Sequence, residues 1–269
     1  MNNHRKPDVK FGASIYTDSK RRDLTCNALY YDISSREIID LVGGLDDIRN
    51  GVVRTVGRPE DRFQEDHLRR LRVIRFAARL GHDVDRDIDA SLRANNSLQG
   101  VSAERIRDEF LKGVASAQSV VQFVQMLSRY GLLMKILPNA SLNGLVEERD
   151  PIVLMASLLA HGGVDAAVNT LRSGKYTNEE IKGVKFLIGL QRLSIQNAVV
   201  LKKMQAVSGV SSEQIQRFSD HMGLDKRLTK AFEEFRLTVT ASDFPDIKAG
   251  PELGASIHHQ ETENFAALI

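Results

Sequence analysis

Apolar positions come first in short runs and then in long helical repeats. VKFGASI (9–15), ALYYDI (28–33) and EIIDLVG (37–43) are brief apolar stretches rich in β-branched or aromatic residues, the signature of strands. Ser34, Ser35 and Arg36 separate the last two, which predicts a hairpin, and Gly43, Gly44 and Gly51 punctuate its exit. From Pro59 onward the spacing of apolar residues lengthens to that of helices. It predicts a first helix from about Pro59 to Leu80, stopped by Gly81. Further helices are expected near 86–97, 102–115 and 117–130, and several more between 151 and 236. Ser102 is placed to N-cap the third, with Glu104 favoured in its first turn by the helix dipole. Pro138, Asn139, Asn143 and Gly144 mark a loop, and Pro245, Gly250, Pro251 and Gly254 break the last segment. The fold class expected is mainly α, with a short β piece at the front. A hairpin and one leading strand do not bury a sheet face unaided, so the β piece reads as half of a larger sheet.

Composition narrows the function classes. Of 269 residues, 42% are hydrophobic and 27% charged, which excludes global disorder. Trp is absent and aromatics are 6%, so Leu, Ile, Val and Ala must fill the core. Lys plus Arg is 37 against 35 acids; a net charge of +2 excludes a generic basic coat for nucleic acid but leaves room for local clusters. The single cysteine, Cys26, has no internal partner, and a reducing, cytoplasmic setting is expected. No run approaches the roughly 20 apolar residues of a membrane span, and MNNHRKPDVK is too polar for a signal peptide. No membrane association is expected.

Two clusters carry candidate chemistry. Arg21, Arg22 and Asp23 stand just before a strand; planar guanidiniums suit phosphate oxygens and the carboxylate suits a hydroxyl. The plain alternative is a surface ion pair. In EDHLRRLRVIR (65–75), Asp66, Arg69, Arg72 and Arg75 recur every third residue, which on a helix makes one slowly turning face. Leu71, Ile74, Phe76, Ala77, Ala78 and Leu80 fill the positions between and after them, so the helix should be largely enclosed, and enclosed arginines need anions. A carboxylate accepts hydrogen bonds and a guanidinium donates them. Side by side they complement an amino donor next to a ring-nitrogen acceptor, the edge shared by cytosine and adenine and reversed in guanine and uracil. Such a pair would reject G and U by leaving buried groups unpaired. Plain helix electrostatics is the alternative.

Read in order, RRDLTCNAL, DLVGGLDD and EDHLRRLRVIRFAARLG resemble the second, third and fourth motifs of the class II tRNA nucleotidyltransferases, the CCA-adding enzymes and their poly(A) polymerase relatives. SAERIRDE (102–109) resembles the fifth, and GLL (131–133), ILP (136–138) and AGPELG (249–254) are similar to later turns of that family. The resemblance implies a partial β head at 1–58, a nucleotide-selecting helical neck at 59–140, and a helical body and tail at 141–269 that lie along tRNA. It implies that Arg22 and Asp23, with Asn27 nearby, hold phosphates and ribose. Asp66 and Arg69 would read the base, Arg72 and Arg75 would grip the triphosphate, and Asp40, Gly43, Gly44 and Asp47 would form a hinge. The substrates implied are CTP and ATP.

The family's first motif, a Gly-Ser turn followed by Asp-x-Asp, is absent from the residues before Arg21. Those carboxylates would bind two Mg²⁺ ions that activate the primer hydroxyl and stabilise leaving pyrophosphate. Asp83, Asp85, Asp87 and Asp89 do not replace them: they follow the base-reading segment, and Ile88 and Ala94 stand where a calcium loop needs Gly and Glu. His82, His161, His258 and His259 lack ligand spacing. No metal ligand or catalytic residue is therefore assigned in this chain. The expectation is one half of a split enzyme, inactive alone, with a separate polypeptide bringing the Mg²⁺-binding strands and the tRNA 3′ end as the shared substrate. A non-catalytic binder of tRNA or nucleotide, part of a poly(A) polymerase, and a fragment of a longer product are the alternatives.

Overall fold

A computed structural model describes residues 14–269. It begins with helix α1 (Ile15–Arg21), capped by the Ser14 side chain, which accepts from Thr17 N–H. The strand expected over 9–15 is thus corrected at its end: Ile15 opens a helix, while 9–13 lie outside the described residues. Strands β1 (Leu29–Asp32) and β2 (Glu37–Asp40) form the antiparallel hairpin, Leu29 facing Asp40. Arg36 turns the chain at φ 60°. Helix α2 (Gly44–Arg49) follows, and then the two-residue strand β3 (Val52–Val53), which pairs in parallel with β4 (Asp83–Val84).

The helical array begins at α3 (Pro59–Glu65) and α4 (Arg69–Leu80). The single helix expected over 59–80 is therefore two. Asp66 caps the first in extended conformation (φ −151°, ψ 109°), and its Oδ1 accepts Leu68 N–H at 3.0 Å. That local bond competes with helix propagation. Gly81 ends α4 with φ 66°, as expected. Next come α5 (Arg86–Ala94), capped by Asp85, α6 (Ala103–Ser116), α7 (Val120–Arg129) and the short α8 (Leu133–Ile136). Ser102 is the N-cap residue of α6, although its side chain accepts no backbone N–H there. Arg70 binds the ends of two helices together: Nε donates to Asn95 O at 2.9 Å, and a terminal nitrogen donates to Phe63 O at 3.2 Å.

The second half holds α9 (Pro151–Leu159), α10 (Gly163–Ser173), α11 (Asn178–Gly189), α12 (Ala198–Ser208), α13 (Ser212–Met222), α14 (Lys226–Glu234) and α15 (Pro251–Ala266). Gly254 lies inside α15, so the expected break falls at Pro245 and Gly250, with Pro251 opening the helix. The segment 151–173 is long and apolar enough to meet the composition of a membrane span, contrary to the sequence expectation. Its apolarity has a core explanation: residues 153–159 are all buried, α11 and α13 pack on α9, and a 3-10 turn at 160–162 divides the segment. His161 sits exposed in that turn. At the end of the chain, Phe265 of α15 meets Phe235 at 5.2 Å between ring centres.

The turn between hairpin and α2 is tightly specified. Asp40 Oδ1 accepts the N–H groups of Val42, Gly43 and Gly44 at 2.9–3.1 Å, and Oδ2 accepts Leu45 N–H at 2.8 Å. Gly43 has φ 80° with open space around it. At Gly44 a Cβ would lie 2.3 Å from the Thr25 carbonyl oxygen. Gly44→Ala should therefore cost about 1–3 kcal/mol by overpacking against rigid backbone. Gly43→Asn should be close to neutral, since Asn tolerates that φ; comparing the two melting temperatures checks both. Burial pushes the Asp40 carboxyl up, but the converging N–H groups outweigh it and hold it below its ordinary 3.8. A lowered folded pKa adds stability above the unfolded value and loses it as pH falls through the folded one. Asp40→Asn should accordingly flatten the stability profile below about pH 4, measured by denaturant unfolding across acid pH.

Candidate functional site

The acids and arginines singled out in the sequence gather where the head piece meets α4 and α6. Asp23, mostly buried, accepts Leu24 N–H at 2.9 Å and Asn27 Nδ2 at 3.3 Å on Oδ1. Its Oδ2 accepts Arg72 Nε at 2.7 Å and a second guanidinium nitrogen at 2.5 Å. Burial pushes this carboxyl up, yet the charge and hydrogen bonds of Arg72 hold it below its ordinary value. Arg75 Nε donates to Glu109 Oε2 at 2.7 Å, with Arg75 8% and Glu109 5% exposed. The other Glu109 oxygen lies 3.8 Å from Arg72. Asp23, Arg72, Glu109 and Arg75 thus form one chain of alternating charge across three elements. The anion expected for the enclosed arginines is, in this state, supplied from within the protein.

Arg21 and Arg22 turn elsewhere. Both clamp Asp18: Arg21 Nε at 2.6 Å and Arg22 Nε at 2.9 Å. The Tyr30 hydroxyl donates to the same carboxylate at 2.8 Å. That phenol bond first, and then the guanidiniums, hold the Asp18 carboxyl down to about 2. Arg22 also donates to Asn27 O at 3.1 Å, so Arg22, Asp23 and Asn27 remain neighbours. The Cys26 thiol between them is pushed up to about 11 by burial and nearby carboxylates, which suppresses its thiolate chemistry.

Asp66 and Arg69 stand on either side of the break before α4, not on one helix face. Arg69 N–H donates to Asp66 O at 3.0 Å, which fixes their adjacency. Asp66 Oδ2 accepts from Arg105 at 2.6 Å, and Arg69 donates to Glu65 Oε2 at 2.5 Å. Arg105 and Glu65 have side chains 51% and 46% exposed, so these pairs are cheaply exchanged. In the turn 40–47, Asp47 accepts the Thr25 hydroxyl at 2.7 Å and Arg54 Nε at 3.0 Å. Arg54 continues to Asp85 at 3.2 Å, which joins the hairpin region to the cap of α5.

Arg54 was missed by the sequence reading, and Glu65, Arg105 and Glu109 were quoted in motifs without a role. Glu65 had a local signal, being an acid four residues before Arg69, whereas Glu109 lies 34 residues from Arg75. Arg105 and Arg54 had none, because their partners are 39 and 7 residues away respectively and only folding brings them near. Among the described residues, no cluster of three or more His, Cys, Asp or Glu side chains suits a metal ion. The acids nearest the site are engaged by guanidiniums, so these residues do not fit Mg²⁺.

Residues 1–54 match the model of the poly A polymerase head domain, and residues 83–142 match the probable RNA and SrmB-binding site of polymerase A. A CCA-adding enzyme of Ligilactobacillus salivarius (strain UCC118) is 36% identical over 195 residues, covering 67% of this chain and 48% of that one. This chain therefore spans about half the length of that relative. Among solved structures, the Bacillus stearothermophilus CCA-adding enzyme in complex with CTP superposes with TM-score 0.64 at 22% identity, over 96% of this chain and 72% of that one. The Thermotoga maritima CCA-adding enzyme complexed with tRNA gives 0.63 at 17% identity, over 94% and 70%.

The buried pair is separable from ligand binding by a mutant cycle. Glu109→Leu should destabilise the protein by about 3–5 kcal/mol, because it strands the Arg75 charge. Arg75→Met combined with Glu109→Leu should recover most of that loss; chemical denaturation of the three variants checks it.

Proposed function

Since this chain belongs to the family of class II tRNA nucleotidyltransferases and poly(A) polymerases, we propose that it selects CTP and ATP for addition to the tRNA 3′ end. The observation that carries the proposal is the placement of Asp66 and Arg69 beside one another, each held by an exposed partner that imitates a base. Arg105 donates to Asp66 as an exocyclic amino group would. Glu65 accepts from Arg69 as a ring nitrogen would. Cytosine or adenine replaces both partners at once; guanine or uracil presents donor to donor and acceptor to acceptor, and leaves groups unpaired.

The remaining roles follow from the same neighbourhood. Asp23, already oriented by Arg72 and Asn27, would accept a ribose hydroxyl. Arg22, Arg72 and Arg75 would meet phosphates, Arg72 being the more accessible of the last two. Asp40, Gly43, Gly44 and Asp47 would transmit movement between a head at 1–58 and a neck at 59–140, with the body and tail from 141 onward lying along tRNA. Lys182, Lys185 and Lys203 are exposed on that second part and suit phosphate contacts. Arg217 and Lys202 do not, since they are engaged with Glu148 and with Phe232 O.

We assign the Mg²⁺ ions, which would activate the attacking hydroxyl, to a separate polypeptide. The side chains of Tyr31, Ile33 and Ile38 on the hairpin are 54–84% exposed, and an apolar sheet face of this kind suits a covering strand layer. A cytoplasmic setting agrees with a sequence whose single cysteine, Cys26, has no internal disulfide partner. A poly(A) polymerase role is the second reading, favoured by the descriptions of the two matching family models; it requires ATP alone.

Titration of the four ribonucleoside triphosphates into the purified chain separates these readings. CTP and ATP should bind at least about 10-fold more tightly than GTP and UTP, the worth of a buried hydrogen bond, and Asp66→Ala should abolish the difference. Binding of ATP but not CTP would favour the polymerase, and equal binding of all four would refute nucleotide selection. With Mg²⁺, CTP and tRNA lacking its end, this chain should incorporate nothing until a companion bearing the Gly-Ser turn and Asp-x-Asp is added.

A further inference from the structure

Arg22 is immobilised without being buried. Asp18 on α1 lies one turn before it: Oδ2 accepts Arg22 Nε at 2.9 Å, and a terminal nitrogen sits 2.8 Å from the same oxygen. The other terminal nitrogen donates to Asn27 O at 3.1 Å, in the 3-10 turn Thr25–Asn27. The guanidinium also lies over the Tyr30 ring of β1, 5.6 Å from its centre. The Arg22 side chain nevertheless stays 43% exposed. A guanidinium carries five N–H groups, so these contacts leave donors on Arg22 unspent.

Asp18 is itself held in place. The Tyr30 hydroxyl donates to Oδ2 at 2.8 Å and Arg21 Nε donates to Oδ1 at 2.6 Å. The Asp18 side chain is mostly enclosed by these partners, and with its carboxyl held down to about 2 it is charged at neutral pH. Arg21 shares the carboxylate, has no other hydrogen-bond partner among the described residues and is 76% exposed. Two guanidiniums on one carboxylate leave a net positive charge, so Asp18 fixes Arg22 without cancelling its attraction for an anion.

A free surface arginine loses its rotamer freedom when a ligand binds, which weakens affinity about 3- to 10-fold for one long side chain. Here the ordering precedes the ligand. Its direction is set by Asn27, whose carbonyl accepts from Arg22 while its amide donates to Asp23 Oδ1 at 3.3 Å. We propose that Asp18 is a positioning residue for the nucleotide's triphosphate: it fixes Arg22 beside Asp23 so that the unspent N–H groups meet a phosphate, while Arg21 balances its charge. A planar fork held at its side is suited to that contact. The inference deepens the proposed nucleotide site and rests on it. The competing account is a structural tie between α1 and the hairpin through Tyr30, whose loss would be felt whether or not the ligand carries phosphates.

The test is calorimetric titration of the full chain with CTP and with cytidine. Salt of about 0.5 M shortens screening below the roughly 8 Å of physiological salt, so the charge change in a variant acts weakly at a distance. Asp18→Asn should weaken CTP binding about 3- to 10-fold and leave cytidine binding unchanged. In an Arg22→Ala background the same substitution should change CTP affinity by less than about 2-fold, since the two residues act as one unit. Tyr30→Phe keeps the charge of Asp18 and the ring beside Arg22 while loosening the carboxylate. It should weaken CTP binding in the same direction, and it takes the place of Asp18→Asn if that variant does not fold. The positioning role fails, with nucleotide selection still standing, if CTP affinity is unchanged or raised. It fails equally if CTP and cytidine weaken alike, or if the loss persists in the Arg22→Ala background. If the parent chain binds no CTP, the inference falls together with the reading beneath it.

Discussion

A guanidinium placed among apolar side chains must find acceptors, and α4 carries that demand three times over. Arg70 meets the carbonyls that end α3 and α5, Arg72 meets Asp23, and Arg75 meets Glu109. Each solution reaches a different element, so one helix draws the head piece, α6 and two helix ends into register. Hydrophobic burial alone would not fix that register, because Leu, Ile and Val contacts are non-directional. The bonds from Arg72 and Arg75 are directional, and an error of one residue would strand a charge.

The same wiring determines which groups remain able to meet a ligand. Arg75 is held by Glu109 in a buried pair whose removal would expose both charges to the penalty of an unpaired ion. Arg72 is shared between Asp23 and Glu109 and keeps a third of its side chain in solvent. A polyphosphate arriving here competes with carboxylates that already neutralise the site, which limits its gain to the difference between two anions. Asp66 and Arg69 are in another situation. Their partners, Arg105 and Glu65, are solvated side chains whose release costs little. On the proposed reading, selectivity would be concentrated where exchange is cheap, and orientation where exchange is expensive.

Much of this was legible in the sequence, for identifiable reasons. The hairpin followed from runs of β-branched and aromatic residues, and Gly81 followed from the stop it provides to α4. The carboxylate and arginines of 65–75 were visible as a local pattern. What was not legible depends on contacts distant in sequence: Arg105 on Asp66, and Glu109 on Arg75. The apolar segment 151–173 was read only as part of the several helices expected between 151 and 236, and no run was counted as long enough to span a bilayer; a 3-10 turn and Gly163 at φ 77° divide it. No proline marks that break.

The break at Asp66 shows how a small local preference shapes the site. Periodicity ran unbroken from Pro59 to Leu80, with neither Gly nor Pro between Pro59 and Gly81 to interrupt it. The interruption comes instead from a carboxylate that satisfies Leu68 N–H with one oxygen, the side-chain turn that makes Asp a poor residue inside helices. Had the helix continued, Asp66 and Arg69 would project along one face at helical spacing. In the broken form Asp66 has extended backbone, one oxygen is spent on the turn, and the other is left to face α6. A single acceptor oxygen beside a single guanidinium is a narrower instrument than a row of alternating charges. Discrimination between an amino group and a carbonyl needs that narrowness, since any spare lone pair or donor would allow the wrong base to be accommodated.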